Sequence, residues 1–169
     1  MLGGNNPINL IGYSDSDYAN CVSTSWSIGG YCFSLGSGMI SWSSRKQRTV
    51  ADSSCYAEYI ALHNASHEGV FLRQLLLGLK ILPPGPTSLF CNNDAASSLT
   101  EDHMWHSRVK HIRVKYHYVR EQVSEGELEI RRVRSSDNTA DILTKSLGRG
   151  DFLKLRQYLE LDASMEEDN

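Results

Sequence analysis

Four polar residues fall where the sequence predicts one element to end or another to begin. Asp15 ends an alternating strand-like segment, and Asn92 ends the short apolar run SLFCN. Glu58 lies one turn into a long helical pattern, at the edge of its apolar stripe, and Asp141 lies near the start of a later helix. Converging carboxylates can hold Mg²⁺ ions that clamp the reacting oxygens of a phosphodiester. Taken singly, each aspartate is more often a cap or turn residue.

The first half of the chain carries the periodicities of three strands and one long helix. INLIGYSDSD, SIGGYCFSLG and MISWSS, joined by short connections, predict an antiparallel meander. Ser53 and Ser54 can then cap a helix. Its predicted apolar stripe comprises Ala57, Ile60, Ala61, Ala65, Phe71, Leu72, Leu75, Leu76 and Leu79.

The segment PPGP breaks the chain, and the second half mixes strands with helices. SLFCN predicts a fourth strand, DAASSLT a short helix and LEIRRVRS a fifth strand. A helix from Lys110 stops at Gly126, another helical stretch runs from Asn138 or Thr139 through ADILTKSL, and DFLKLRQYLEL is amphipathic. This order of elements predicts an α/β fold with a mixed sheet.

Length and composition are those of one ordinary globular domain. The chain has 169 residues, of which 40% are hydrophobic and 22% are charged. The domain is expected to occupy residues 8–160, with flexible ends at 1–7 and 161–169. The net charge of −3 argues against strong general nucleic-acid binding, but the basic residues between His103 and Arg134 could form a local basic face.

Targeting signals and cysteine spacing favour an intracellular protein. No apolar run approaches the ~20 residues that span a bilayer, and no secretory segment is recognisable, so no membrane partner is expected. None of the four cysteines lies in a CxxC pair, which favours reduced thiols over a disulfide or zinc site. They are Cys21, Cys32, Cys55 and Cys91.

Five blocks in fixed order resemble the ribonuclease H domain of copia-type LTR retrotransposon polyproteins. They are LIGYSDSDYA, SWSSRKQRTVADSSCYAEYIAL, LFCNNDAA, HSRVKHIRVKYHYVREQV and NTADILTK, and they span roughly residues 10–147. The resemblance implies a ribonuclease H-like fold, with a five-stranded mixed sheet flanked by helices. It also implies Mg²⁺-dependent hydrolysis, with Mn²⁺ able to substitute, of the RNA strand in RNA–DNA hybrids during reverse transcription.

The resemblance assigns the four polar residues to one catalytic and metal-binding set. It places Asp15, Glu58 and Asp141 on the family's acidic positions, and it places Asn92 where the family has an aspartate. An amide oxygen can contact a cation but brings no negative charge, so we expect severely reduced activity. Asp94 is a conceivable substitute, although it fits a helix start better. An introduced change and natural decay of a transposon copy would both leave Asn92, and the sequence does not separate them.

Hybrid binding requires contacts to phosphates and to 2′-hydroxyls. Polar residues near the first strands and the long helix are candidates, with a solvated loop and capping serines as the alternative. The resemblance favours a phosphate-facing role for part of the HSRVKH block, whose histidines, with His117, do not match common zinc spacings. Trp26 is either a contact surface or a strand-edge aromatic. The predicted substrate-binding residues are Ser23, Thr24, Lys46, Ser54, Arg108 and Lys110.

Two functional classes therefore remain open for the chain. The first is a ribonuclease H, impaired through Asn92, that acts on an RNA–DNA hybrid beside the reverse transcriptase domain of its parent polyprotein. The second is a non-catalytic nucleic-acid-binding or scaffold domain derived from a retrotransposon. A nuclease of the integrase type, which cuts duplex DNA, is disfavoured by the blocks above. The expected location is a cytoplasmic virus-like particle or the nucleus.

Overall fold

The computed structural model describes residues 8–19, 26–36, 38–82, 84–92 and 110–159, and for 110–113 it describes the backbone only. The elements are strands β1 (Leu10–Asp17), β2 (Ile28–Leu35), β3 (Gly38–Lys46), β4 (Thr87–Cys91) and β5 (Leu128–Arg132), helices α1 (Ser54–Gly78), α2 (Lys110–Ser124) and α3 (Arg149–Tyr158), and two 3₁₀ segments, Ser135–Asp137 and Thr139–Leu143.

The five strands form one mixed sheet in the order β3-β2-β1-β4-β5. Strands β1, β2 and β3 pair antiparallel, as the predicted meander requires, whereas β4 pairs parallel with both β1 and β5. Asp15 in β1 lies opposite Gly30 of β2. The carboxyl ends of the adjacent parallel strands β1 and β4 lie at one edge of the sheet. Asp15 lies two residues before the end of β1, rather than at its end as predicted, and Asn92 directly follows β4.

Helix α1 packs along the sheet and supplies much of the core. It begins where predicted, because the side chain of Ser53 accepts a hydrogen bond from the Tyr56 amide. Tyr59 and Leu62 on α1 and Phe33 and Leu89 on the sheet are completely buried. The fold therefore holds the first turns of α1 rigidly against β1 and β2.

The predicted apolar stripe of α1 is too wide. Ala65, Leu72 and Leu76 are buried in the core, but Phe71, Leu75 and Leu79 are 60%, 47% and 60% exposed. The last three lie four residues apart and form a separate row of side chains, beside the row that faces the sheet. Hydrophobic periodicity alone does not show which of two adjacent apolar rows is covered.

The chain around Asp141 is also more compact than predicted. The predicted helical stretch is a five-residue 3₁₀ segment, and the next helix begins only at Arg149. The stop at Gly126 is confirmed, since that residue adopts φ 74° directly after α2. The predicted helix DAASSLT lies outside the described residues. Among the helices of the described residues, none is long and apolar enough to cross a membrane.

Three cysteines lie in the described part of the chain, and Cys32 and Cys91 carry free thiols. Cys32 and Cys91 are buried, and Cys55 is partly exposed. Burial raises the pKa of the thiols of Cys32 and Cys91 to about 12, so both are neutral. Cys21 lies outside the described residues.

Candidate active site

The structure brings Asp15, Glu58 and Asp141 together in the interior near the edge of the sheet. Asp15 is 1% exposed, Glu58 7% and Asp141 6%. Asn92 follows the last residue of β4 rather than ending the strand as predicted. Its side chain forms a hydrogen bond with Glu58, while its amide oxygen is buried and has no hydrogen-bond partner. Three elements distant in sequence thus converge, as the positions of the carboxylates predicted.

Both oxygens of the Asp15 carboxylate contact side chains from the Asp141 segment. The hydroxyl of Thr144 donates a hydrogen bond to Oδ2. The ammonium of Lys145 lies 3.1 Å from Oδ2 and 3.2 Å from Oδ1 of Asp15. The same ammonium lies 3.1 Å from Oδ1 of Asp141. Lys145 therefore bridges two buried carboxylates, and its side chain remains 31% exposed to solvent.

The Asp141 segment is fixed to the sheet by contacts that begin with Asn138. Its side-chain nitrogen donates to the carbonyl of Ser14 over 3.0 Å, and its side-chain oxygen accepts from the amide of Ala140 over 3.2 Å. A Cβ on Gly30 would come within 2.8 Å of Cγ2 of Thr144. Only glycine at this position of β2 lets the Thr144 hydroxyl approach Asp15 so closely.

The first turn of α1 is tied to the loop that precedes it. The buried Gln47 donates from Nε2 to the carbonyl of Ala57 over 2.8 Å. Together with the Ser53 cap, this bond fixes the residue immediately before Glu58. The buried Gln47 is therefore a structural residue that helps to position Glu58.

Burial and mutual repulsion perturb the carboxylates. Burial, followed by the negative charge of Asp15, raises the pKa of Glu58 to about 8, against smaller opposing effects of Asn92 and Lys145. Burial and Asp15 likewise raise the pKa of Asp141 to about 7. Burial would lower the pKa of Lys145, but Asp15 and Asp141 raise it above its usual value. The site thus favours a positive charge beside Asp15.

The donors fit a hard cation in kind, since they comprise carboxylate oxygens and the buried, unpartnered amide oxygen of Asn92. Their arrangement is not that of a metal cage. Among the residues that the structure describes, no three His, Cys, Asp or Glu side chains lie close enough together to hold a metal ion. Lys145 supplies the positive charge between Asp15 and Asp141. A divalent ion would have to displace its ammonium.

A cleft of about 470 Å³ lies between α1 and strands β2 and β3. Its basic lining residues are Arg45, Lys46, Arg48 and Lys115, and Glu68 is its acidic one. The Glu68 carboxylate accepts a hydrogen bond of 2.6 Å from the Ser41 hydroxyl. The cleft begins within one turn of Glu58 on α1, because Ala61 also lines it. The structure therefore places a basic cleft beside the carboxylates.

The other predicted substrate-binding residues have mixed outcomes. Lys46 is exposed and lines the basic cleft, and Ser54 is the exposed first residue of α1. The backbone of Lys110 begins α2. Ser23, Thr24 and Arg108, together with Asp94, lie outside the described residues.

Trp26 is neither a fully exposed contact surface nor a fully buried strand-edge aromatic, the two alternatives that the sequence left open. It is partly exposed, and the ammonium of Lys46 lies 5.0 Å from the centre of its ring. This distance is that of a cation–π contact. Trp26 therefore helps to fix Lys46 at the mouth of the basic cleft.

Sequence reasoning missed Asn138, Thr144 and Lys145 as members of the site. All three belong to the block NTADILTK, from which the sequence assigned a role to Asp141 alone. Their partners in β1 are 124 to 130 residues away along the chain. A lysine four residues after a predicted ligand, on the same side of a helical turn, was the available signal.

Comparison with known proteins confirms the resemblance to retrotransposon polyproteins, although no family model matches. The retrovirus-related Pol polyprotein from transposon RE1 of Arabidopsis thaliana is 41% identical over 152 residues, or 90% of this chain. That from transposon TNT 1-94 of Nicotiana tabacum is 38% identical over 151 residues, or 89% of this chain. The chain spans only 10% and 11% of the length of these two relatives.

Solved structures confirm the predicted ribonuclease H-like fold. LC11-RNase H1 in complex with an RNA/DNA hybrid matches 80% of this chain and 94% of its own, with a TM-score of 0.54 and 17% identity. RNase H1 from Halobacterium salinarum NRC-1 matches 86% of this chain and 98% of its own, with a TM-score of 0.53 and 17% identity. Likeness at this level of identity establishes the fold alone.

Proposed function

Since the chain is a relative of one segment of retrotransposon Pol polyproteins and has the ribonuclease H fold, we propose that it derives from an endonuclease that cleaves the RNA strand of RNA–DNA hybrids. The observation that carries this proposal is the convergence of Asp15, Glu58 and Asp141 with Asn92 at the sheet edge. The chain itself has little or no activity, because Asn92 removes one negative charge from the set.

Asp15, Glu58, Asp141 and Asn92 would hold Mg²⁺, or Mn²⁺ in its place, when Lys145 moves aside. When bound, the metal supplies Lewis-acid polarisation of the phosphodiester and a bound water of lowered pKa. Thr144 orients the Asp15 carboxylate, and Asn138 holds the Asp141 segment against β1. The side chain of Lys145 is 31% exposed, which gives its ammonium a route to solvent.

The basic cleft is the proposed contact with the hybrid. Arg45, Lys46 and Arg48 are exposed along one wall, where they can neutralise phosphates. Ser54, at the exposed start of α1, could contact sugar hydroxyls. LC11-RNase H1, whose fold this chain shares, was solved with an RNA/DNA hybrid.

The relatives are polyproteins about eight to nine times as long as this chain. We therefore propose that the domain works beside a reverse transcriptase domain, which would supply part of the grip on the hybrid. A cytoplasmic virus-like particle or the nucleus is the corresponding location.

A second candidate is a non-catalytic domain that binds nucleic acid. Two observations favour it. The fourth ligand position holds a neutral amide, and the ammonium of Lys145 lies between Asp15 and Asp141. Such a domain would keep its basic cleft and gain no activity when the missing acid is restored.

The deciding experiment compares cleavage of a labelled RNA–DNA hybrid by the chain and by the Asn92→Asp variant, with Mg²⁺ and with Mn²⁺. We expect the variant to cut the RNA strand at least about 100-fold faster, since even indirect partners of metal ligands contribute 10–100-fold. Adding Glu58→Gln to the variant is the matched control and should abolish the gained activity.

Binding of the same hybrid, measured by fluorescence anisotropy, separates the two candidates. If both chains bind the hybrid and neither cuts it, the non-catalytic function is supported instead. If the unaltered chain cuts the RNA strand as fast as the variant, the role assigned to Asn92 is wrong.

A further inference from the structure

Helix α1 carries a pair of histidines that the proposed nuclease function does not use. His63 and His67 lie one helical turn apart, with His63 partly buried and His67 exposed. Their Nε2 atoms are 3.3 Å apart, and the two rings cross at 78°. The ring of His67 stacks on Tyr118 of α2 with centroids 3.9 Å apart, and Tyr118 also contacts His63 edge-on. The pair is thus held in one orientation.

We propose that His63 and His67 form a binding site for Zn²⁺. Zinc binds imidazole nitrogen at about 2.0–2.1 Å with tetrahedral angles, which separates two ligand nitrogens by about 3.3–3.4 Å. Without metal, the two Nε2 atoms share a hydrogen bond of 3.3 Å, so they already lie at the separation that zinc would require. Water would fill the remaining positions.

The surroundings of His63 and His67 keep both imidazoles neutral and also limit their affinity for zinc. Burial, followed by the neighbouring His67, lowers the pKa of His63 to about 4, and burial lowers the pKa of His67. Both rings are therefore neutral at neutral pH, as metal ligation requires. The positive charge of Lys115 on α2 also lowers the pKa of His63, so it repels a metal ion. Two ligands with such a neighbour make a weak, exchangeable site.

Bound zinc would cross-link two residues on successive turns of α1. Both ligands come from the same helix, and Tyr118 connects their rings to α2. Helices α1 and α2 also meet where the Tyr59 hydroxyl donates to the carbonyl of Lys115. Zinc would therefore stabilise the region between Glu58 and the α2 contact, without contacting the carboxylates.

The experiment is a Zn²⁺ titration of the untagged full chain, followed by calorimetry and by NMR of the imidazole nitrogens. We expect one Zn²⁺ to move the Nε2 resonances of His63 and His67 together. His67→Gln should weaken binding at least about tenfold, because losing a ligand costs no less than losing an indirect partner. His67 is exposed, so this variant should fold normally.

Two further variants make the result specific. His117→Gln changes an exposed histidine of α2 and should leave zinc affinity unchanged. Lys115→Met should tighten binding several-fold by removing the repelling charge. If zinc moves only one of the two imidazoles, or if His67→Gln and His117→Gln weaken binding equally, the proposal is overturned.

Discussion

Helix α1 contributes side chains to two clusters that could bind metal ions, and the clusters differ in burial and in charge. Glu58 belongs to a buried group of carboxylates, whose neighbouring cation is Lys145 of the same chain. His63 and His67, one to three turns later, are neutral and more exposed, and their Nε2 atoms lie at hydrogen-bonding distance, 3.3 Å apart. A positive charge stabilises the buried carboxylates, and Lys145 supplies it. The neutral histidines need no such charge.

This difference shows that a site with several buried carboxylates must also contain protons or a cation that offset their repulsion. A set of buried carboxylates is unfavourable unless protons or a cation offset the repulsion. The chain supplies both, through the raised pKa values of Glu58 and Asp141 and through Lys145. Without metal, the neutral histidine pair has no comparable electrostatic repulsion. Its occupancy is therefore set by the zinc concentration relative to the dissociation constant of the site.

The largest expected effect separates the two clusters by catalysis. In the Asn92→Asp background, Asp15→Asn should lower hybrid cleavage at least about 100-fold, because it removes the carboxylate that both Thr144 and Lys145 contact. Zinc affinity of the histidine pair should not change. Cleavage rates and zinc calorimetry on the same preparation check both statements, and coupled losses would mean that the two clusters are one site.

Lys145→Met should have the next largest effect and acts on the carboxylates alone. Without its ammonium, Mn²⁺ binding should tighten roughly tenfold or more, since a repelling charge near the ion is removed. The melting temperature without divalent cations should fall, because two buried carboxylates lose their partner. Calorimetry and thermal unfolding measure the two effects. Lys154→Met, which removes an exposed ion pair with Asp137, is the matched control. Unchanged Mn²⁺ affinity would show that Lys145 does not compete.

Smaller effects are expected from the basic cleft that lies beside both clusters. Lys46→Gln should weaken hybrid binding a few-fold and lower the salt dependence of binding by about one phosphate contact. Lys154→Gln, away from the cleft, should leave both unchanged. Anisotropy at several salt concentrations provides the test, and equal effects of the two variants would remove the cleft from the substrate path.

The smallest effect is on stability as a function of pH. The pKa of Glu58 is raised to about 8 and that of Asp141 to about 7 in the folded chain. Their stabilising contribution is therefore complete below their ordinary pKa values, near 4, and is lost as pH rises toward 8. Denaturation midpoints should fall over this range, and less steeply with Mn²⁺ or in Glu58→Gln. A flat profile would show that the carboxylates are not strained.

The sequence predicted which elements converge at the site, but not which side chains contact one another there. Asp15 and Asn92 could be placed near strand ends and Glu58 one turn into the long helix, so their convergence could be predicted. The parallel pairing of β1 with β4, which brings Asp15 and Asn92 together, was not predicted. Lys145 could not be placed, since a contact between side chains 130 residues apart leaves no local pattern. The exposed row of Phe71 on α1 was missed for a related reason, because periodicity finds apolar rows but not their partners.

The central claim is that the carboxylate site lacks a single negative charge at position 92. Mn²⁺ binding to the chain and to Asn92→Asp, measured by calorimetry without nucleic acid, tests this most directly, with Gln74→Glu on the exposed side of α1 as a control of equal charge. We expect binding at least about tenfold tighter in Asn92→Asp and unchanged in the control. Equal affinity of the chain and Asn92→Asp would contradict it.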